Sequence, residues 1–571
     1  MRLTGAQIVT QVLLEQGCDT VFGYPGGQVL ALYDALYQKR RQIRHIRTAH
    51  EQGAAHAADG YARATGKPGV VIATSGPGAT NLVTGIATAY LDSVPMVAIT
   101  GNVPCDRIGL DCFQEVDITG ITIPITKHNF MVKDIRRLAD TLREAFTIAK
   151  SGRPGPVLVD IPSDIQKTRW EYTPAGKAPM LPTKHAAAEQ LEEAARQLTA
   201  AQRPYISCGG GVIRAKAAPL VQELARRLDC GVGATLMGLS AMPGEDPRFL
   251  GMQGLHGHYA AAMAQREADL ILVAGARFSD RAVGEHANFA PDAKILHIDI
   301  DAAELEKTMP VYLGIEGDIR DALERLLERI PRQSHPAWQQ RLAQLKQQEA
   351  EQMPPPEQMP PQEGFQPAGI IRMLSDRAGD AYIATDVGEH QMWTAQHFSF
   401  RTPGSFLTSG GLGTMGFGMG AAIGAAIGTG KPTILITGDG SFRMNFNELA
   451  TAVEQKLPLT ILLLENHTLG MVRQSQTLYY KRRYAATDLG CSIDYPALAE
   501  ACGAVGLRAE SYAQLDQALT RAAHSKKPVL ILCPVDPEQM VFPMLPPGGR
   551  VEDMLLAAPE SAQKHHRKEK A

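Results

Sequence analysis

Asp439 stands between two glycines at the end of the run "TILITGDGS", residues 433–441, and Asn466 closes a second apolar run, "LTILLLEN", residues 459–466. Apolar runs of that length, bounded by turn residues, read as buried strands of a parallel sheet. Both side chains would then emerge at the carboxyl edge, where open α/β sheets hold ligands. A carboxylate, an amide oxygen and a backbone carbonyl nearby are hard oxygen donors. They suit Mg²⁺ that keeps its other positions for phosphate oxygens and water. Gly438, Gly440 and Ser441 open a helix whose first N–H groups can receive a diphosphate. Gly-Asp-Gly alone also fits an ordinary strand-to-helix turn with an aspartate cap. The second donor, after the next strand, favours the metal and the diphosphate.

The elements that must position these residues fall into three blocks. Residues 1–170 alternate β-type runs ("DTVFGYPGG", "PGVVIATSGPG", "VPMVAITG", "GPVLVDIP") with helical segments, the signature of a parallel α/β sheet. Residues 186–335 repeat the alternation, and residues 366–545 repeat it again around Asp439 and Asn466. The expected fold class is therefore α/β, three successive parallel-sheet domains. A linker is expected over 336–365, where the polar, Pro-rich "KQQEAEQMPPPEQMPPQEGFQP" (346–367) reads as irregular, and a C-terminal tail over 546–571, whose charged end "SAQKHHRKEKA" reads as frayed.

At 571 residues the chain is too long for one ordinary domain. A net charge of −3 gives no footprint for nucleic acid. Eight scattered cysteines without a CxxC pair favour a reducing compartment over a structural zinc. The chain opens on what reads as a capped helix, so no leader is expected. The uncharged stretch from Thr402 to Gly430 is glycine-broken and reads as a tightly packed helix with its approach loop, not a membrane span. Cytoplasmic residence is the expectation.

Set in order along the chain, "GYPGG", "HEQGAA", "ATSGPGATNL", "DCFQEVD", "SGRPGPVLVDIP", "TDVGEHQMW", "GGLGTMGFG", "GDG" and "GMVRQ" resemble the catalytic large subunits of the acetohydroxyacid (acetolactate) synthases, which use thiamine diphosphate. The likeness spans roughly residues 3–556. It implies a pyrimidine-binding, a central FAD-binding and a diphosphate-binding domain. It also implies a homodimer or homotetramer whose active sites lie between the first domain of one copy and the third of another, with a small regulatory subunit as the expected partner. The implied reaction decarboxylates pyruvate and transfers its two-carbon unit to pyruvate or 2-oxobutanoate, at the head of branched-chain amino-acid synthesis.

The resemblance also implies roles, residue by residue. Glu51, followed by small residues that suggest close packing, would hydrogen-bond N1′ of the cofactor's aminopyrimidine as a largely desolvated carboxyl. Met415 would force the cofactor into its bent shape. Gly388, His390, Gly413, Gly440, Ser441, Met444 and Met471 would line the cofactor. Asp439, Asn466 and the Thr468 carbonyl would hold Mg²⁺. Phe113 and Gln114 would face the reacting carbonyl, with Gly27 beside them, and Arg281 would read the carboxylate of the second 2-oxoacid.

The FAD signal in the residues themselves is weak, because neither "CGGGV" nor "VAGAR" has the spacing of a dinucleotide fingerprint. The resemblance places a structural FAD against Arg153, Gly209, Gly210, Thr235, Leu236, Leu255, His256, Gly275, Arg277, Asp299 and Asp318.

Several positions depart from the family pattern. Ser475 stands where a tryptophan is usual, which predicts weak discrimination between acceptors. Leu255 replaces a methionine, Ser163 a lysine near the site's opening, Ser279 an aspartate and Gly420 a proline. Glu389 replaces a glutamine and adds an anion beside the diphosphate. The rival readings are a FAD-free acetolactate synthase or a pyruvate oxidase, and an impaired paralogue that scaffolds a true synthase. The retained Glu51 speaks against the last.

Overall fold

Side-chain patterning sorts the chain into sheets covered on both faces, as shown by a computed structural model that describes residues 1–177, 181–284, 289–353, 365–490 and 492–559. The proline-rich centre of the linker and the last residues of the tail lie outside that range.

Three six-stranded sheets follow one another, and every neighbouring pair of strands within them is parallel. In the first, the strands stand in the order 44–47, 20–23, 69–73, 96–102, 156–162, 128–131. In the second the order is 249–252, 231–234, 204–208, 270–274, 294–299, 313–316. The third runs 406–407, 382–385, 433–438, 459–465, 529–534, 505–508. The central strands are near-continuous Val, Ile and Leu and fully buried, as parallel strands under helices on both faces must be.

The first helix, Gly5–Glu15, starts on a capping box in which Thr4 and Gln7 satisfy each other's free N–H groups. The uncharged stretch forms the helix Phe417–Thr429, buried on nearly every face. It lies against the helix Glu51–Thr65, and the fit leaves no room for side chains. A Cβ on Gly424 would come within 1.9 Å of the Ala57 carbonyl oxygen. One on Gly420 would meet the Cβ of His56 at 2.6 Å. The glycine at 420 is therefore what this helix pair requires, and the first and third domains are fastened together through it.

The linker departs from expectation. Its first part is the helix Pro336–Gln352, which runs on through 346–352, where irregular chain is expected. Trp338, Leu342 and Leu345 bury one face of it on the central domain, and Arg341 pairs with Glu267 at 2.6 Å. A sparse apolar spacing of four and three residues suffices to dock a helix that is otherwise polar. Among the described residues no helix is long and apolar enough to cross a membrane.

Candidate active site and cofactor cavity

The strands 433–438 and 459–465 pair with Gly438 opposite Leu464, so Asp439 and Asn466 leave the sheet side by side. Asp439 is buried and begins the helix Asp439–Asn445; its Oδ2 accepts from the His467 amide at 3.0 Å. Burial raises its pKa, with His467 opposing, and a cation beside it would reverse that shift. Asn466 Oδ1 accepts from the Thr468 amide, and its Nδ2 donates to Glu389 Oε2, each at 3.0 Å. The Thr468 hydroxyl is turned away, donating to the Thr487 carbonyl, so only main-chain oxygen could serve a metal from this residue. These donors are hard and oxygen-based, which fits Mg²⁺.

Glu389 is buried, and burial pushes its carboxyl up to about 8, offset in part by Arg473 and the Asn466 amide. Burial thus favours the neutral form of this carboxyl in the metal-free chain. His390 packs beneath the same edge. Its ring would stand 2.9 Å from a Cβ on Gly438 and 2.8 Å from one on Gly388, so both positions need glycine. Burial drives the ring's pKa down to about 3, and its Nε2 has no partner in the chain. A buried polar atom left open at a sheet edge fits a ligand group.

Beside this edge lies a cavity of about 1400 Å³ between the three domains. The central domain contributes Gly210, Thr235, Leu236, Leu255, His256, Gly275, Arg277, Asp299 and Asp318, with Arg281 and Ser279 at its rim. The first domain contributes Arg153, and the third Gly388, Gly413, Met471 and Ser475. Gly209 adjoins the wall, its amide bonded to the Ala274 carbonyl. Arg153 is paired with Glu304 at 2.6 Å. Arg214 and Arg277 have no carboxylate within ion-pair distance among the described residues. Burial lowers both pKa values, Arg214 to about 10 with Arg63 adding to it, and Arg277 further through Arg153. Burial pushes Asp299 up to about 6. Two guanidiniums without a direct carboxylate partner, in a cavity larger than the ~300–1,000 Å³ of most small-molecule sites, fit an extended, anionic cofactor such as FAD.

Asp439, Gly440, Ser441, Asn466, Thr468 and His390 stand at the neighbouring sheet edge and do not line this cavity, and Glu51, Phe113, Gln114, Gly27, Met415 and Met444 do not line it either. Glu51 is the first residue of the helix Glu51–Thr65 and accepts from Asn81 Nδ2 at 3.0 Å. In the single chain it is half-buried, while the amides just before it, Ala49 and His50, donate to the buried Glu448 of the third domain. Gln114 is held at φ 61°, Gly27 has open space where a side chain would be, and Phe113 is 85% exposed. Met444 also stays outside the cavity, more than half exposed on the helix that Asp439 begins. Met415 is partly buried in the loop ahead of the helix 417–429.

Family models described as the N-terminal TPP binding, central, and C-terminal TPP binding domains of thiamine pyrophosphate enzymes match residues 3–121, 191–326 and 386–533. The acetolactate synthase isozyme 2 large subunit of Escherichia coli K12 is 44% identical over 97% of this chain and 99% of its own length. Its isozyme 1 counterpart is 44% identical over 97% and 98%. A probable acetolactate synthase large subunit of Methanocaldococcus jannaschii is 43% identical over 97% and 95%. The chain belongs to the acetolactate synthase large-subunit family of thiamine pyrophosphate enzymes.

Within this synthase-family chain the departures take definite places. Ser475 lies at the cavity wall with its hydroxyl folded back on the Met471 carbonyl, leaving space where a large side chain could stand. Ser163 is buried at the start of the helix Ser163–Lys167 and so does not guard an opening in this chain. Ser279 precedes the short helix Asp280–Val283 without capping it. Sequence reasoning missed Arg214, although an arginine one turn into the helix after "CGGG" is a readable anion signal. It also missed Asp92, whose contacts cross domains and leave no local trace.

Proposed function

We propose that the chain is the catalytic subunit of an acetolactate synthase. It would take pyruvate as donor and pyruvate or 2-oxobutanoate as acceptor, giving 2-acetolactate or 2-aceto-2-hydroxybutanoate with loss of CO₂. The observation that carries this is the pairing of Asp439 and Asn466 on adjacent strand ends, in a chain matching acetolactate synthase large subunits end to end. Thiamine diphosphate, when bound, supplies the nucleophilic carbon and the electron sink. Asp439, Asn466 and the Thr468 carbonyl would hold Mg²⁺ against the diphosphate, and the open His390 nitrogen supports a ligand there. Glu51 would hold a proton at the aminopyrimidine, and Arg281 would orient the acceptor carboxylate. FAD would fill the cavity beside Arg214 and Arg277 as a structural group.

Glu51, Phe113, Gln114 and Gly27 are proposed to serve a site on another copy. Exposed apolar side chains support this: Leu30, Leu110, Phe113 and Ile123 on the first domain, Leu412, Met444 and Val472 on the third. The assembly would be a homodimer or homotetramer in the cytoplasm, and the relatives' printed designation "large subunit" supports a smaller regulatory partner. The test is acetolactate formation from pyruvate by the purified chain with Mg²⁺, thiamine diphosphate and FAD. Product is expected; none, even with a regulatory subunit supplied, would replace this reading with that of an impaired paralogue.

A further inference from the structure

The turn Leu91-Asp92-Ser93 joins the first domain to both others. Asp92 is buried, and its Oδ1 accepts from the Gly411 amide at 2.7 Å while Oδ2 accepts from the Gly410 amide at 3.2 Å. Arg63 donates to the same Oδ2 at 2.9 Å and to the Thr408 carbonyl at 2.8 Å. A Cβ on Gly411 would sit 2.9 Å from Asp92 Oδ1, so the loop lies directly on the carboxylate. Thr88 and Thr414 close the far end with a hydroxyl pair at 2.7 Å. The loop 408–414 is thus strung along one carboxylate and one guanidinium of another domain, and Met415 follows it immediately.

The other side of the turn faces the flavin-sized cavity. Ser93 Oγ accepts from Arg153 Nε at 2.8 Å, and the Ser93 carbonyl accepts from Arg214 Nε at 2.9 Å. Ser93 holds φ at 56°, a conformation a non-glycine residue keeps only where its surroundings impose it. The two guanidiniums that meet Ser93 also line the cavity, as do Asp92, Ser93 and Gly410–Gly413 themselves.

We infer that Asp92 and Ser93 are positioning residues that couple the two cofactor sites within one chain. An anion held by Arg153 and Arg214 fixes Ser93, Ser93 fixes Asp92, and Asp92 fixes the loop that carries Gly413 and Met415. The inference rests on the proposed reading of the cavity as a flavin site. Coupling is reciprocal: thiamine diphosphate with Mg²⁺ raises the affinity for FAD by the factor by which FAD raises theirs.

Flavin fluorescence titrations of the full-length chain, with and without thiamine diphosphate and Mg²⁺, test it. The natural chain is expected to bind FAD about 5-fold or more tightly when they are present. Ser93→Gly removes the hydroxyl while suiting a positive φ, so it folds. In that variant the ratio should fall toward one, as it should in Asp92→Asn, with thiamine diphosphate still binding to both. Hydrogen exchange of residues 408–414 should slow when FAD alone is added to the natural chain, and not in the variants. Tight FAD binding that is indifferent to thiamine diphosphate would overturn the coupling alone. An unchanged ratio in Ser93→Gly and Asp92→Asn would do the same. No FAD binding by the natural chain would overturn the reading of the cavity, and the coupling with it.

Discussion

The third domain holds its chemical residues in a finished setting, whereas the first domain presents its own on an open face. Asp439, Asn466 and Glu389 are buried and tied to one another or to neighbouring backbone, and His390 is buried beside them with its Nε2 open. Glu51 is half-buried with one hydrogen bond from Asn81, and Phe113 projects outward. The end proposed to hold metal and diphosphate is set within a single chain; the residues proposed for the pyrimidine end stand partly open in it. A closed set of polar groups sustains its desolvation through mutual bonds. An exposed aromatic with further exposed apolar side chains on the same domain fits a covering surface.

Changes on the two sides should break different quantities. Glu51→Gln should lower kcat by roughly 10²–10⁴, the range for loss of a positioned acid–base group. Its affinity for thiamine diphosphate should change little, as read by steady-state kinetics beside a cofactor titration. Asp439→Asn should act the other way, weakening Mg²⁺-dependent cofactor retention by about 100-fold or more, since even groups behind a metal ligand contribute 10–100-fold. Equilibrium dialysis with Mg²⁺ measures this directly.

Smaller effects belong to the cavity wall and the buried acid. Ser475→Trp should raise the preference for 2-oxobutanoate over pyruvate as acceptor by roughly 10-fold, within the ~1–3 kcal/mol that a methylene in an apolar pocket can give. Competition between the two acceptors, followed by product ratio, reports it. Glu389 is raised in the folded chain to about 8 from 4.5. The native state therefore binds more protons than the unfolded one between those values. Its stabilising contribution is complete below about pH 4.5 and is lost as pH climbs to about 8. In the metal-free chain, Glu389→Gln should flatten that decline, by up to about 1.4 kcal/mol per pH unit, in urea melts at pH 5, 6.5 and 8.

Much of this contrast was legible in the residues. Apolar runs ending in Gly-Asp-Gly and in Glu-Asn placed Asp439 and Asn466 at neighbouring strand ends because strand periodicity and turn chemistry are local signals. The helix 336–352 escaped because three well-spaced apolar residues carry its docking while prolines dominate the composition downstream. The close packing suggested by the small residues after Glu51 is present from the first turn on, where a Cβ on Gly53 would meet Glu448 at 2.1 Å, while Glu51 itself stays half-buried in the single chain. Asp92 and Arg63 were invisible because their partners at 408–411 lie more than three hundred residues away. A position such as Gly420 looked like a departure, and only the approach of the helix 51–65 explains it.

The most direct test mixes two inactive chains. Glu51→Gln and Asp439→Asn are each prepared alone, then co-refolded or co-expressed in equal amounts and assayed for acetolactate. If each site draws Glu51 from one copy and Asp439 from another, mixed two-fold dimers hold one intact site, and activity should return to about a quarter of the natural level. If both residues serve the same chain's site, every chain in the mixture carries a lesion in its own site. Activity that stays at the level of the separate variants, in a mixture proven to contain mixed dimers, would contradict the account.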